Sequence, residues 1–181
     1  MSLPDQTRRS ALVGLMVAAT SGLWGCGFQP LYGRTGEQGT NVVDHLAAIR
    51  IEPIPDRVGQ ILRNGLRDKL TPRGKPLQPM YRLVVSLIEN RADLVILQDA
   101  TSTFAKVRIR ANFVLTDVKT GQTLTRGKSE STTIFNIVES EFANINAETG
   151  ARARAANEIS DDIRQRIGLY FRRQNVSLRS L

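Results

Sequence analysis

Between about Thr103 and Val118 the chain alternates apolar and polar residues, and this run limits the possible folds more than any other feature. Ala105, Val107, Ile109, Ala111, Phe113 and Leu115 fall on one side of an extended strand; Lys106, Arg108, Arg110 and Asn112 fall on the other. Successive strand side chains point to opposite faces, so one face must be covered and the other wet. Lys119-Thr120-Gly121 reads as a three-residue hairpin loop, with Gly121 in the left-handed position. That loop sets Val118 opposite Gln122, Val114 opposite Arg126, Asn112 opposite Lys128 and Arg110 opposite Glu130. Arg126 and Lys128 then join the cationic face, and Glu130 offsets part of its charge. A two-residue loop would place Arg126 beside Leu115 on the apolar face, so the core selects the register.

The remaining elements follow from spacing. Ile49-Arg50-Ile51-Glu52 alternates as a short strand and is ended by Pro53 and Pro55. Asp56 is placed to cap a helix, and Val58, Ile61, Leu62, Leu66 and Leu70 form one helical stripe after it. Gly59 and Gly65 weaken that helix on intrinsic propensity. Thr71-Pro72-Arg73-Gly74-Lys75-Pro76 breaks the chain. Tyr81, Leu83, Val85 and Leu87 alternate with Arg82 and Ser86 as a half-buried strand, continuing irregularly through Leu94-Val95-Ile96-Leu97. After a break near Ser140, a helix is predicted from about Ile145 to Arg172. Its stripe is Ala151, Ala155, Ile159, Ile163 and Ile167, joined by Ala156 and Tyr170. The order β-α-β-β-β-α predicts an α+β two-layer sandwich: a four-stranded, mostly antiparallel sheet with two helices on one face.

The front of the chain has a different character. Arg8-Arg9 precede an apolar run that begins at Ala11 and ends at Gly25, just before Cys26, the single cysteine of the 181 residues. A basic start, a short apolar stretch and a small residue at the cut point are the parts of a secretory signal. The run is too short to span a bilayer comfortably, which takes ~20 mostly apolar residues. Leu23-Trp24-Gly25-Cys26 is similar to a bacterial lipobox, although tryptophan is unusual at the middle position. The expectation is a signal over residues 1–25 and an acylated Cys26 on a tether and lead-in over 26–47. A domain over 48–173 and a C-terminal tail over 174–181 complete the organisation. Arg8-Arg9 also fits twin-arginine export, so the export route stays open.

Charge narrows the ligand class and spacing narrows the chemistry. The formal net charge is +8, of which about +7 lies from Cys26 onward. A basic exported protein favours polyanions: phosphorylated lipid head groups, anionic glycolipid or an acidic protein surface. One cysteine and one histidine, His45, leave no nucleophile–base set and no metal-ligand spacing, and no glycine-rich phosphate loop is present. The expectation is therefore no enzyme, no cofactor beyond the lipid on Cys26, and no metal. Asp161-Asp162 reads as a solvated helix face near Arg164 and Arg166, and Arg152, Arg154, Arg172 and Arg173 as further surface charge. Cations on alternate strand positions form a flat array able to hold phosphates. A solvated sheet face is the plainer reading, but three like charges along one strand are a costly route to solubility. Lys106, Arg108, Arg110, Arg126 and Lys128 are the candidate binding residues on register and charge. Nucleic acid is disfavoured by the export signal and by the lack of adjacent exposed aromatics for base stacking.

Cys26-Gly27-Phe28-Gln29-Pro30-Leu31-Tyr32-Gly33 resembles the anchor segment of the LPS-assembly lipoprotein family, and the Asp117-Val118-Lys119-Thr120-Gly121-Gln122 turn and the element order are also similar to it. The resemblance implies a lipid-anchored outer-membrane protein on the periplasmic side. It implies a partner, the large β-barrel of the lipopolysaccharide translocon, which such a lipoprotein plugs and helps to assemble. It also implies contact with lipopolysaccharide during insertion at the cell surface, and an acylated Cys26. The alternative is a free-standing lipoprotein that binds phospholipid or assists an inner-membrane transporter.

Overall fold

The computed structural model describes residues 42–72, 74–94 and 103–179, all within one compact unit, Arg34–Leu181. Cys26, its signal and tether, and the Val95-Ile96-Leu97 continuation lie outside the described residues. The elements are α1 (Val42–Ala47), β1 (Ile49–Ile51), α2 (Asp56–Leu70), β2 (Tyr81–Leu94), β3 (Thr103–Asp117), β4 (Thr123–Ile137) and α3 (Glu141–Arg179). The strands form one sheet in the order β1-β2-β3-β4. β2, β3 and β4 are antiparallel neighbours, while β1 runs parallel to β2, so the sheet is mixed.

The alternation of β3 sets the layers. Ala105, Val107, Ile109, Ala111, Phe113 and Leu115 are all buried. Against them lies α3, which packs on β3 and β4 and also against α2. Ala151, Ala155, Ala156, Ile159, Ile163 and Ile167 of α3 are buried, as are Val58, Leu62, Leu66 and Leu70 of α2. Ile61 is half-buried at the margin of that stripe. At the end of α3 it is Phe171 that enters the core, whereas Tyr170 is half-buried. α3 also runs longer than its apolar pattern, starting at Glu141 and continuing to Arg179.

The hairpin reaches the expected register by a different route. Val114 faces Arg126, Asn112 faces Lys128 and Arg110 faces Glu130. Val118 does not pair with Gln122, because its N–H donates to the Met80 carbonyl at 2.9 Å. Instead the Asp117 N–H donates to the Gln122 carbonyl at 2.9 Å, closing a four-residue loop. The extra residue is absorbed as a bulge, since Leu115 faces Thr125 while Thr116 faces Thr123. Gly121, at φ 70°, supplies the left-handed turn. The Asp117 carboxylate accepts from the Lys119 and Thr120 amides at 2.8 and 2.9 Å. The Thr120 amide, seconded by that of Lys119, lowers the Asp117 pKa.

The entry to α2 also departs from expectation. Asp56 does not cap the helix: it is the first helical residue, at φ 67°, and Pro55 before it has no side-chain cap bond. A capping residue needs extended backbone, which Asp56 lacks here. The turn folds Ile54 beneath the helix, where Gly59 admits it. A Cβ on Gly59 would lie 2.7 Å from Ile54 Cγ2 and 3.0 Å from its carbonyl carbon. Gly65 likewise faces Ser160 of α3, whose Oγ would lie 3.2 Å from an added Cβ. Both glycines therefore serve close approach.

Polar ties close the layers. Lys69 Nζ lies 2.7 Å from Asp161 Oδ1 and donates to Ser160 Oγ and the Asn157 carbonyl, joining the end of α2 to α3. Asp162 pairs with Arg166 at 2.9 Å, one helical turn on. Ser131 of β4 donates to Glu158 of α3. At the far end of β2, Glu89 and Arg152 meet at 2.7 Å, Arg152 and Glu148 at 2.7 Å, and Arg91 reaches Glu148 at 3.6 Å. These partly exposed pairs hold the strand to α3 where apolar cover runs out.

The lead-in ends in α1, which places His45 in an aromatic cluster. The imidazole stacks on Phe171 at a centroid distance of 4.8 Å, and its Nδ1 lies 2.8 Å from the Tyr81 hydroxyl. Burial lowers the His45 pKa, against the pull of Asp44.

Two outcomes test this packing. Gly59→Ala should destabilise the protein by ~1–3 kcal/mol through overpacking, although helix propensity alone would favour alanine by about 1 kcal/mol. Urea denaturation reads the sign. For His45, a depressed folded pKa means that the unfolded chain binds the proton more readily. Stability is then fully present above the unfolded value of about 6.5 and declines as pH falls from there through the folded value. His45→Phe should flatten the stability profile between pH ~6.5 and ~5, where no other side chain has its ordinary pKa; an unchanged slope would contradict the assignment.

Candidate ligand-binding face

The even-numbered positions of β3 face away from the helices, and the register extends them into rows. Asn90, Arg108 and Thr132 form one row, Ile88, Arg110 and Glu130 the next, then Ser86, Asn112 and Lys128, then Val84, Val114 and Arg126. Lys106 lies between Ala92 and Ile134. All five predicted cations thus share the outer face of the sheet. Arg50 and Arg82 join them, because the parallel pairing of β1 with β2 sets the two side by side. Nothing local in the sequence carries this pairing.

Glu130 organises one part of the face. Its carboxylate accepts a hydrogen bond from Arg110 Nε at 2.9 Å and stands 3.2 Å from Arg108 Nε. The Arg108 contact is an ion pair without hydrogen-bond geometry, and its Nε is left with an unused donor. Glu52 plays a similar role near Arg50 and Arg82, at 3.6 and 3.5 Å. Among the described residues, Lys106, Arg126 and Lys128 have no ion-pair or hydrogen-bond partner.

Magnitudes decide what this charge signifies. Like charges two residues apart on a strand stand roughly 7 Å apart and repel in water by about 0.6 kcal/mol. That is small enough for a solvated face to tolerate, so repulsion alone does not demand a ligand. The aliphatic residues among the cations are the stronger sign. Val84, Ile88 and Ile134 stand 45, 52 and 54% exposed on this same face. A surface serving solubility alone favours mixed charge and few exposed aliphatics. Cations beside exposed branched chains suit an amphiphile that carries phosphate. The signal was present in the sequence as apolar residues at the polar positions of β2 and β4, which the charge pattern obscured.

The other residues that stood out in the sequence serve structure. His45 belongs to the aromatic cluster, and Asp161 and Asp162 are engaged by Lys69 and Arg166. Among the described residues no group of three or more His, Cys, Asp or Glu side chains is arranged to hold a metal, and no helix is long and apolar enough to cross a membrane.

Comparison with known proteins places the chain. The crystal structure of a candidate lipoprotein from Caulobacter crescentus CB15 superposes with a TM-score of 0.60 at 21% identity, covering 71% of this chain and 94% of that one. This likeness establishes the fold. A minor lipoprotein from Acinetobacter baumannii (TM-score 0.48, 14% identity, 67% of this chain and 90% of that one) is a more distant structural match. Rare lipoprotein B from Shewanella oneidensis (TM-score 0.48, 11% identity, 72% and 98%) is equally distant. A search of curated proteins finds no match. The sequence model of the family LptE, described as lipopolysaccharide-assembly, matches residues 46–167, from α1 through most of α3. The chain belongs to the lipopolysaccharide-assembly family LptE.

Proposed function

We propose that this protein is an outer-membrane lipoprotein, acylated at Cys26, that plugs and helps assemble the β-barrel of the lipopolysaccharide translocon and binds lipopolysaccharide for insertion at the cell surface. It acts by binding and carries out no chemistry of its own. Lys106, Arg108, Arg110, Arg126 and Lys128 hold lipid A phosphates, and Val84, Ile88 and Ile134 lie against the acyl region. The observation that carries this reading is the amphipathic outer face, cations set among exposed aliphatic side chains in a chain of the lipopolysaccharide-assembly family. Arginine presents paired donors to phosphate, and lysine a compact charge. Family membership favours the translocon reading over a free-standing phospholipid binder or an accessory of an inner-membrane transporter.

Cys26 supplies the attachment. Each buried methylene contributes about 0.8 kcal/mol, so one acyl chain holds marginally and two hold stably. Periplasmic placement follows from that anchor and the signal before it. The barrel partner would hold the domain close to the lipopolysaccharide path.

Lys106 and Lys128 have no partner among the described residues, so their reversal tests ligand contact without breaking an ion pair. K106E/K128E should lower lipopolysaccharide affinity about tenfold or more, at about 1.4 kcal/mol per tenfold, with an unchanged melting temperature. R108E/R110E should lower affinity as well, but also lower stability, because Glu130 is left among like charges. Unchanged binding in both variants would remove this face from the site. Cys26→Ala should release the protein from membranes lacking the barrel, read by fractionation and intact mass; retention on such membranes would contradict acylation.

A further inference from the structure

β1 is one of the two edge strands of the sheet, and its unpaired side borders a cleft of about 470 Å³. The other walls are α2, through Arg63 and Arg67, and the connection from Thr71 to Pro79, through Lys75 and Leu77. The volume lies in the range of ligand sites, ~300–1,000 Å³. Three features of the lining define what fits it.

The first is backbone. The Ala48 carbonyl accepts from Tyr81, and the Glu52 N–H donates to the Leu83 carbonyl. Even-numbered residues of this segment therefore spend their peptide groups on β2. Alternation along a strand turns the peptide groups of Ile51 the other way, toward the cleft. The second is charge. Arg50, Arg63, Arg67 and Lys75 line the space against one carboxylate, Glu52, which already contacts Arg50 and Arg82. Arg63 Nε is buried with no hydrogen-bond partner, and neither Arg67 nor Lys75 has an ion-pair partner among the described residues. The third is an apolar rim. Leu77 is 100% exposed at the mouth of the cleft.

We propose that this cleft takes a short, extended, acidic segment of a partner protein, which adds to the free edge of β1. Main-chain hydrogen bonds to an exposed edge give such a segment its direction, and side chains on alternate positions give it specificity. The partner's carboxylates meet Arg63, Arg67 and Lys75, and an apolar residue meets Leu77. Pro53 lacks an N–H, so the added strand is limited to a few residues and the cations supply most of the selectivity. A phosphate group would use the cations but leave the Ile51 edge and Leu77 unengaged. The site is separate from the outer-face cations Lys106 and Lys128 and does not depend on the lipopolysaccharide reading.

The test uses the full chain in detergent and a fluorescein-labelled peptide of alternating valine and glutamate, followed by fluorescence anisotropy. Binding should saturate, and a valine–lysine peptide of equal length should not bind. R63E/R67E should weaken binding about tenfold or more, while K106E/K128E leaves it unchanged. The acidic peptide should slow hydrogen exchange at the Ile51 amide of the wild-type protein, a readout that does not rely on any variant folding. Methylating alternate peptide nitrogens should weaken binding several-fold, and millimolar inorganic phosphate should not displace the peptide. Absence of saturable binding, equal binding of the methylated peptide, displacement by phosphate, or no protection at Ile51 would each overturn the proposal.

Discussion

Burial of one side of β3 beneath α3 is the contact on which the rest of the molecule depends. Six side chains from Ala105 to Leu115 lose nearly all their water together, and they do so in a single register. A slip of one residue would place Lys106, Arg108 and Arg110 against Ile159 and Ile163, so no neighbouring register competes. The bulge at Leu124, between the paired residues Thr123 and Thr125, shows how strong the constraint is. A loop longer than the minimal one is accommodated by local irregularity, and the pairing of Arg110 with Glu130 is kept.

The outer face follows from that choice. Once the apolar side is committed to the helices, the alternate side chains must stand in water, and their identities are free to serve binding. The helix layer is held independently of that face. Glycine at the α2–α3 approach, the Lys69 ties and the His45–Tyr81–Phe171 cluster all lie on the other side of the sheet or at its margin. A fold built this way tolerates a charged and aliphatic surface without weakening its core, as a protein must if that surface is to meet an amphiphile.

The sequence disclosed the parts governed by local periodicity. The β3 faces, the α2 stripe and the β3–β4 register could be read because each depends on residues a few positions apart or on a single hairpin. What it concealed depended on distant partners. The parallel pairing of Arg50 with Arg82 joins segments 32 positions apart, and no motif announces it. Phe171 rather than Tyr170 fills the core, where His45 stacks on it and Tyr81 meets it at a tilt. Asp56 looked like a cap, but it takes a left-handed turn where the chain buries Ile54, and in that conformation it cannot act as one. α3 begins ahead of its apolar stripe, where the Asn144 side chain is hydrogen-bonded to both backbone groups of Val138 and Glu148 pairs with Arg91 of β2. On the outer face, the cations were visible from charge alone, whereas Val84, Ile88 and Ile134 gained meaning only when the rows were assembled.

If the outer face of the sheet, and not the helix layer, meets lipopolysaccharide, methyl-resolved NMR of the full chain during titration with lipopolysaccharide measures it directly. Val84, Ile88, Val114 and Ile134 should shift together and saturate, while Ile159 and Ile163, buried between sheet and helix, stay in place. Shifts concentrated on α2 and α3, or a saturating complex that leaves the outer-face methyls unmoved, would contradict it.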